Sequence, residues 1–213
     1  MKIITKSYKV YDYSELSEKA KEKVKTEFLQ DEIRNNLFYE DCLETLHYMF
    51  PNSNLKVQYS LGYCQGDGLN IYGELKVSDL INLINDTNKI PINLFNKIKS
   101  QILSKQEMDL ILEYTKYCSN NIVLPNNYRY CYSIANKIYF AEEWEGNLEY
   151  CEINYNKQII DKFDLFIRNF FSEFNSLLEE DGYEYFYNIS DEEMEETCEA
   201  NEWTFLEDGT MFN

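Results

Sequence analysis

Basic residues almost vanish from the last third of this chain. After residue 140 only Lys157, Lys162 and Arg168 remain, against 21 Asp and Glu. Residues 141–213 therefore carry a net charge of −18, while residues 1–140 hold 17 acids and 17 bases and sum to zero. A field of that sign repels nucleic acid and acidic membrane surfaces and attracts basic protein surfaces. Histidine is scarcer still, with His47 alone in the sequence. A chain with one imidazole is a poor fit to zinc hydrolases, His-dependent nucleases and Ser-His-Asp or Cys-His hydrolases. His47 lies beside a helical apolar stripe and reads as a helix-surface or satisfied core residue.

Close cysteine pairs are missing as well. Cys42, Cys64, Cys118, Cys131, Cys151 and Cys198 stand far apart with no Cys-x-x-Cys spacing, which argues against a disulfide framework and against structural zinc. They read as reduced, small core or half-buried side chains. No apolar run reaches the roughly 18 residues needed to span a bilayer, and the start lacks a signal-peptide core. The expectation is a soluble, cytoplasmic protein with no membrane partner.

What is present is an apolar, aromatic composition: 44% hydrophobic and 16% aromatic residues over 213 positions. A chain of this length buries roughly 70% of its unfolded surface, so a disordered acidic tail cannot be the whole protein. With no internal repeat and no Pro/Gly/Ser-rich linker, the sequence reads as one α+β domain over 1–213. Its neutral part is 1–140 and its strongly acidic part is 141–213.

Ser17 is a natural N-cap for a first helix, with Ala20, Val24 and Phe28 inward and Lys19, Lys21, Lys23 and Lys25 outward. Tyr39, Cys42, Leu43, Leu46, Met49 and Phe50 form the stripe of a second helix, closed by Pro51. The period then changes from 3.6 to 2. Leu55, Val57, Tyr59, Leu61 and Tyr63, then Leu69, Ile71, Gly73, Leu75 and Val77, predict a β-hairpin with one buried face. Helical pieces follow over 78–117, capped at Ser78 or Asp79 and reopened at Pro91, and loops flank a short apolar Ile122-Val-Leu. Strand is predicted from Tyr128 to Phe140, turning at Asn136-Lys137 and continuing through Leu148 and Tyr150 to Tyr155. Phe163, Ile167, Phe170, Phe174 and Leu177 predict a long helix ended by Gly182. Ser190-Asp-Glu-Glu193 is a capping box, and Trp203-Thr-Phe, Asp208-Gly209 and Met211-Phe212 predict a final hairpin. The fold class is α+β: an antiparallel sheet built from hairpins and packed against several helices.

Two clusters are candidate sites. Gly62, Gly66, Gly68 and Gly73 crowd the hairpin, where Gln65, Gly66, Asp67 and Gly68 are able to present amides to a ligand. The segment is neither a P-loop nor a dinucleotide fingerprint, and lacks calcium-loop spacing. A hairpin turn needing unusual backbone conformations is the simpler reading. The second cluster is acidic: Glu179, Glu180 and Asp181, then Asp191, Glu192, Glu193, Glu195, Glu196 and Glu199. Tyr183, Tyr185 and Tyr187 lie between them and supply rigid amphipathic contact area. No catalytic residue, metal site or cofactor is expected.

Tyr59-Ser-Leu-Gly-Tyr-Cys-Gln-Gly-Asp-Gly-Leu-Asn-Ile-Tyr resembles the "sGxxsQGDGxxF" segment of a widespread family of small phage and prophage proteins. Asn201-Glu-Trp-Thr-Phe-Leu-Glu-Asp-Gly209 is similar to that family's C-terminal "NEYxFxEDG", and Leu16-Ser-Glu-Lys-Ala-Lys-Glu-Lys to its "LSExAKxKA" start. Tyr130-Cys-Tyr-Ser133 matches its central Tyr-x-His segment without the His. Members are often labelled antitoxin-like, and the resemblance implies a mobile-element origin more than an activity. Together with the acidic last third it leads to a phage-encoded counter-defence inhibitor of the anti-CRISPR type. Such a protein acts in the bacterial host's cytoplasm. Its partner is a basic nucleic-acid-binding defence effector, such as a CRISPR nuclease complex, met by a DNA-mimicking surface that does not itself touch nucleic acid. The alternatives are a nucleotide or small-molecule binder using the Gly-rich hairpin, and an antitoxin that neutralises a basic toxin.

Overall fold

Alternating apolar residues build the predicted hairpin over 54–60 and 68–76, and the rest of the sheet grows from it. Leu61 and Tyr63 fall in the loop, and Val77 opens a helix instead of ending a strand. The computed structural model describes residues 6–30, 32–64, 66–126 and 140–212. Of the strand predicted from Tyr128 to Phe140, residues 128–139 lie outside these residues, as do its Asn136-Lys137 turn, Cys131, the Tyr130–Ser133 segment and Gln65, while Phe140 is helical. In chain order the helices are α1 (Glu18–Leu29), α2 (Glu32–Met49), α3 (Val77–Asn85), α4 (Ile92–Ile98) and α5 (Lys105–Tyr114). They continue with α6 (Phe140–Tyr150), α7 (Lys157–Tyr187) and α8 (Asp191–Ala200). The strands are β1 (Asn54–Ser60), β2 (Gly68–Lys76), β3 (Asn121–Leu124), β4 (Thr204–Phe205) and β5 (Met211–Phe212). The fold class is α+β, with antiparallel sheets and helices packed on them. The chain forms two compact units, Tyr39–Gly182 and Met1–Phe38 with Tyr183–Asn213. Helices α2 and α7 contribute residues to both.

In the Tyr39–Gly182 unit, β1 and β2 pair antiparallel from Asn54↔Glu74 to Ser60↔Gly68. The short apolar Ile122-Val-Leu becomes β3, paired with β2 from Gly73↔Leu124 to Lys76↔Asn121. Gly73 is obligatory here. Its φ is +119°, and a Cβ on it would meet the Asn54 carbonyl oxygen at 2.2 Å, so any side chain clashes with β1. The hairpin is more enclosed than alternation alone implies, because Asn70 is buried along with Leu69 and Ile71.

Helix α7 supplies the aromatic core. Phe163, Phe166, Phe170, Phe171 and Phe174 recur at three- and four-residue spacing and are all buried. Phe50 packs between Phe170 and Phe171, with ring centroids 6.0 and 5.8 Å away. Each fully buried ring contributes roughly 1.5–3 kcal/mol of apolar burial. Gly182 does not end the helix. It is buried, and α7 runs on to Tyr187, because tertiary burial overrides the weak helical preference of one glycine.

Two further expectations are corrected. Residues 148–150 are helical, not strand: Phe140, Trp144 and Leu148, four apart, form the buried face of α6, and Glu142 and Glu143 occupy its first turn, where negative charge suits the helix dipole. Beyond it, Ile153 and Tyr155 sit in irregular backbone. Asp79 and Ser78 are not caps of α3, which starts at Val77. The buried Asp79 carboxylate instead accepts hydrogen bonds from Asn52 N, Asn52 Nδ2 and Ser53 Oγ, each at 2.8 Å. Ser53 Oγ in turn accepts from Lys76 N at 2.9 Å. This network ties the turn after α2 to the start of α3.

In the other unit, Tyr13, Leu16, Ala20, Val24, Met194, Cys198 and Phe205 form the core, with Phe28 and Trp203 packed against it. The predicted final hairpin is present as β4–β5, and Tyr11 and Phe205 exchange backbone hydrogen bonds at 2.9 Å. Gly209, at φ +81°, turns this hairpin where a Cβ would meet the Ala20 carbonyl oxygen at 2.6 Å.

Replacing Asp79 with alanine leaves the Asn52 amide and Ser53 hydroxyl without their acceptor. The expected loss is about 3 kcal/mol of unfolding free energy, with an unchanged denaturant slope, measured by urea titration.

Candidate partner-binding surface

The acids of α8 divide by what each one does locally. The capping box forms as predicted: Glu193 N donates to Ser190 Oγ at 3.1 Å, and the Glu193 carboxylate accepts from Ser190 N at 2.9 Å. The Ser190 N–H and then the Ser190 hydroxyl, each donating to the carboxylate at 2.9 Å, hold the Glu193 carboxyl below its usual range. Met194 and Cys198, four apart, point into the core and fix which way the helix faces.

Asp191 is also committed. It accepts from Tyr13 Oη at 3.0 Å and pairs with Lys25 Nζ at 2.5 Å, and Lys25 first, then Tyr13, lowers its pKa. Lys23 reaches Asp208 at 3.5 Å and Thr210 Oγ1 at 2.7 Å, while Lys21 sits 5.5 Å over the Tyr13 ring. Three of the lysines expected to face outward are thus half-buried, two of them against the acidic C-terminal segment, and Lys19 alone of the four is exposed.

What remains on α8 is Glu192, Glu195, Glu196 and Glu199. Among the described residues none of these carboxylates has an ion pair or a hydrogen bond. Beside them a cavity of about 330 Å³ is lined by Glu195, Glu199, Glu202, Asp12, Trp203 and Cys198, among others. Burial first, and Glu195 second, push the Cys198 thiol up to about 11, so it stays neutral and is no nucleophile at physiological pH.

Glu202 and Trp203 reach this cavity because α8 ends in a Schellman-type cap. Trp203 N bonds Cys198 O at 2.9 Å and Glu202 N bonds Glu199 O at 3.1 Å, with Glu202 at φ 55°. That left-handed position normally holds glycine. With glutamate there, no sequence signal marks the stop, and Asp12, Glu202 and Trp203 are absent from the sequence-derived site.

Tyr183, Tyr185 and Tyr187 lie on a helix, so they do not share one face. Tyr183 and Tyr187 pair with ring centroids 6.1 Å apart. Tyr185 stacks on Phe38 at 5.6 Å and covers the Arg34 guanidinium at 4.1 Å, with Phe28 on that cation at 4.5 Å. Arg34 also donates to the Tyr185 carbonyl. Tyr185 is part of a cation–π stack inside its own unit.

Glu179, Glu180 and Asp181 belong to the Tyr39–Gly182 unit, separate from the α8 acids. Glu179 is half-buried and takes the Leu69 amide as donor. One turn earlier, buried Asn175 accepts from Ile71 N through Oδ1 at 2.9 Å. Burial, and then Glu180, raise the Asp181 pKa. In the hairpin loop the Asp67 carboxylate accepts from Ser60 Oγ at 2.8 Å and from the amides of Gly62 and Cys64, both at 2.6 Å. The hydrogen bonds from Cys64 and Ser60 lower its pKa most. Asp67 thus occupies the amides of Gly62 and Cys64 and acts as an internal anchor of the turn.

No protein-family model, no curated protein and no solved structure matches the chain. Among the described residues no helix is long and apolar enough to cross a membrane.

Burial raises the Glu179 pKa above the usual glutamate value. Its ionisation therefore weakens the fold, a cost absent below the ordinary value and growing as pH rises through the folded one. Glu179→Gln keeps an oxygen for the Leu69 amide and loses the charge. The variant should melt above the parent at pH 7.5, with the gap closing toward pH 4; Glu179→Ala, which removes the acceptor, should melt below it at both.

Proposed function

We propose that this protein is a binding inhibitor and not an enzyme, and that it acts by placing the acidic face of α8 in a basic groove of a nucleic-acid-handling protein. The observation that carries the reading is the unmatched set Glu192, Glu195, Glu196 and Glu199. Lys21, Lys23 and Lys25 lie over other residues of the same unit, yet among the described residues these four carboxylates have no cation partner. Four like charges on one short helix repel one another, and neighbours at three- or four-residue spacing cost roughly 0.2–0.5 kcal/mol each. A partner that supplies Lys and Arg at phosphate-like spacing turns that cost into steering and affinity. The resemblance to small phage proteins favours a counter-defence role, with a CRISPR-type effector as target. Tyr187, exposed at the end of α7, offers an aromatic surface in the same unit.

The test is capture of proteins from a CRISPR-bearing bacterial lysate on the immobilised chain, eluted by salt and separately by competing duplex DNA. A basic nucleic-acid enzyme released by both is expected. The variant Glu192→Lys/Glu195→Lys/Glu196→Lys/Glu199→Lys should retain about one tenth or less of that capture while keeping its helical circular dichroism. Glu193 is left in place because it closes the capping box. Undiminished capture by the quadruple variant, or a captured protein that DNA does not displace, would sink the reading.

A further inference from the structure

Among the described residues, the outer edge of β3, in the Tyr39–Gly182 unit, has unmet bonding capacity of its own. Ile71 N donates to Asn175 and not to β1, so the main-chain groups of Ile71, and by alternation those of Gly73 and Leu75, face the β3 side of β2. With the pairs Gly73↔Leu124 and Leu75↔Ile122, the main-chain groups of Asn121 and Val123 turn away from β2. Those of Asn121 are used locally: Asn121 N donates to Ser119 Oγ at 3.0 Å, and Ser119 Oγ donates to Asn121 O at 2.9 Å. Among the described residues nothing meets the N–H or C=O of Val123, a residue that is 67% exposed.

A cavity of about 460 Å³ borders that edge, with Asn121, Val123, Phe140, Trp144, Glu74 and Glu143 in its lining. Trp144 is fully buried, and among the described residues its indole N–H has no acceptor. Buried indoles normally find one. Glu74 accepts only from Asn121 Nδ2, at 3.4 Å, and neither Glu74 nor Glu143 has an ion pair among the described residues.

We propose that this edge binds an extended, basic peptide segment of another protein, added as a strand beside β3. The peptide residue opposite Val123 exchanges two main-chain hydrogen bonds with it. A lysine or arginine lies against Glu143 and Glu74, and an acceptor on the peptide takes the Trp144 indole N–H. Two rim carboxylates exclude a nucleic-acid strand here, and main-chain edge groups favour a peptide over an unbranched amine. This site is in a different unit from α8 and does not rest on the inhibitor reading.

The experiment uses the full chain labelled with ¹⁵N, whose two tryptophans give two indole signals, assigned with Trp203→Phe. The probe is an acetylated octapeptide of alternating threonine and lysine. Controls replace lysine with glutamate, or N-methylate alternate residues to remove the edge donors. The expected result is a downfield shift of the Trp144 indole proton and slowed exchange of the Val123 amide. Both control peptides, and Glu143→Lys with the lysine peptide, should bind about tenfold or more weakly. Three results would overturn the proposal: no shift at Trp144 or Val123 at millimolar peptide, undiminished binding after N-methylation, or shifts confined to α8. The last would show charge attraction to the other acidic face and leave the inhibitor reading standing.

Discussion

Strand β2 is longer than the partner on its outer side, and the rest of the Tyr39–Gly182 unit is built around that mismatch. β1 pairs with β2 from Gly68 to Glu74, while β3 covers only Gly73–Lys76. The amides of Leu69 and Ile71 are left over in a buried position, and a buried amide without an acceptor costs about 1–3 kcal/mol. Helix α7 answers with Asn175 for Ile71 and Glu179 for Leu69. Side chains four apart on a helix are separated by about 6 Å of rise, and amides two apart along a strand by about 6.6 Å. One helix turn therefore spans the gap that a strand would otherwise fill. The match sets the height of α7 on the sheet, and Phe170 and Phe171 then close on Phe50. It also explains why the most phenylalanine-rich helix carries a buried asparagine and a half-buried glutamate.

The charge asymmetry of the sequence is redistributed by folding. Along the chain all of the net −18 lies after residue 140. In space, the unit made of Met1–Phe38 and Tyr183–Asn213 holds eight bases and 17 acids, and Tyr39–Gly182 holds 12 bases and 21 acids. Each unit is thus at −9. The mechanism is visible in single contacts: the lysines of α1 lie against Asp191, Asp208 and Tyr13, so the N-terminal helix neutralises part of the acidic segment. Chain ends far apart in sequence are joined by opposite charge as well as by the Tyr11–Phe205 backbone pair.

Where local signals agreed with tertiary packing, the sequence was legible. The hairpin, the Ser17 cap, the Ser190–Glu193 capping box and the Asp208-Gly209 turn each rest on residues that act within a few positions of themselves. Errors arose where burial decides. Leu148 and Tyr150 read equally well as strand or helix until Trp144 and Phe140 are seen buried on the same face. Gly182 looks like a stop signal, and burial cancels it. Asp79 looks like a cap and is instead the acceptor for a turn 26 residues earlier, a pairing that no local window contains. The candidate site was half-legible for the same reason: acidity can be counted, but which acid is spent on Lys25, on Ser190 or on the Leu69 amide depends on the fold.

Sorting the acids by structural duty separates what the fold needs from what it merely tolerates. Asp67, Asp191 and Glu193 are held ionised by donors or cations, and their pKa values are lowered accordingly. Glu179 and Asp181 resist ionisation because they are partly buried. Glu192, Glu195, Glu196 and Glu199 do neither. They cap nothing, pair with nothing among the described residues, and repel one another along a ten-residue helix whose inward face is already satisfied by Met194 and Cys198. Only Glu192, in the first turn, suits the helix dipole; Glu199 stands in the last turn, where negative charge is unfavourable. Stability alone gives no reason for Glu195, Glu196 and Glu199 to be acidic. Under the proposed reading a basic partner supplies that reason, and the reading therefore rests on this face more than on the total charge.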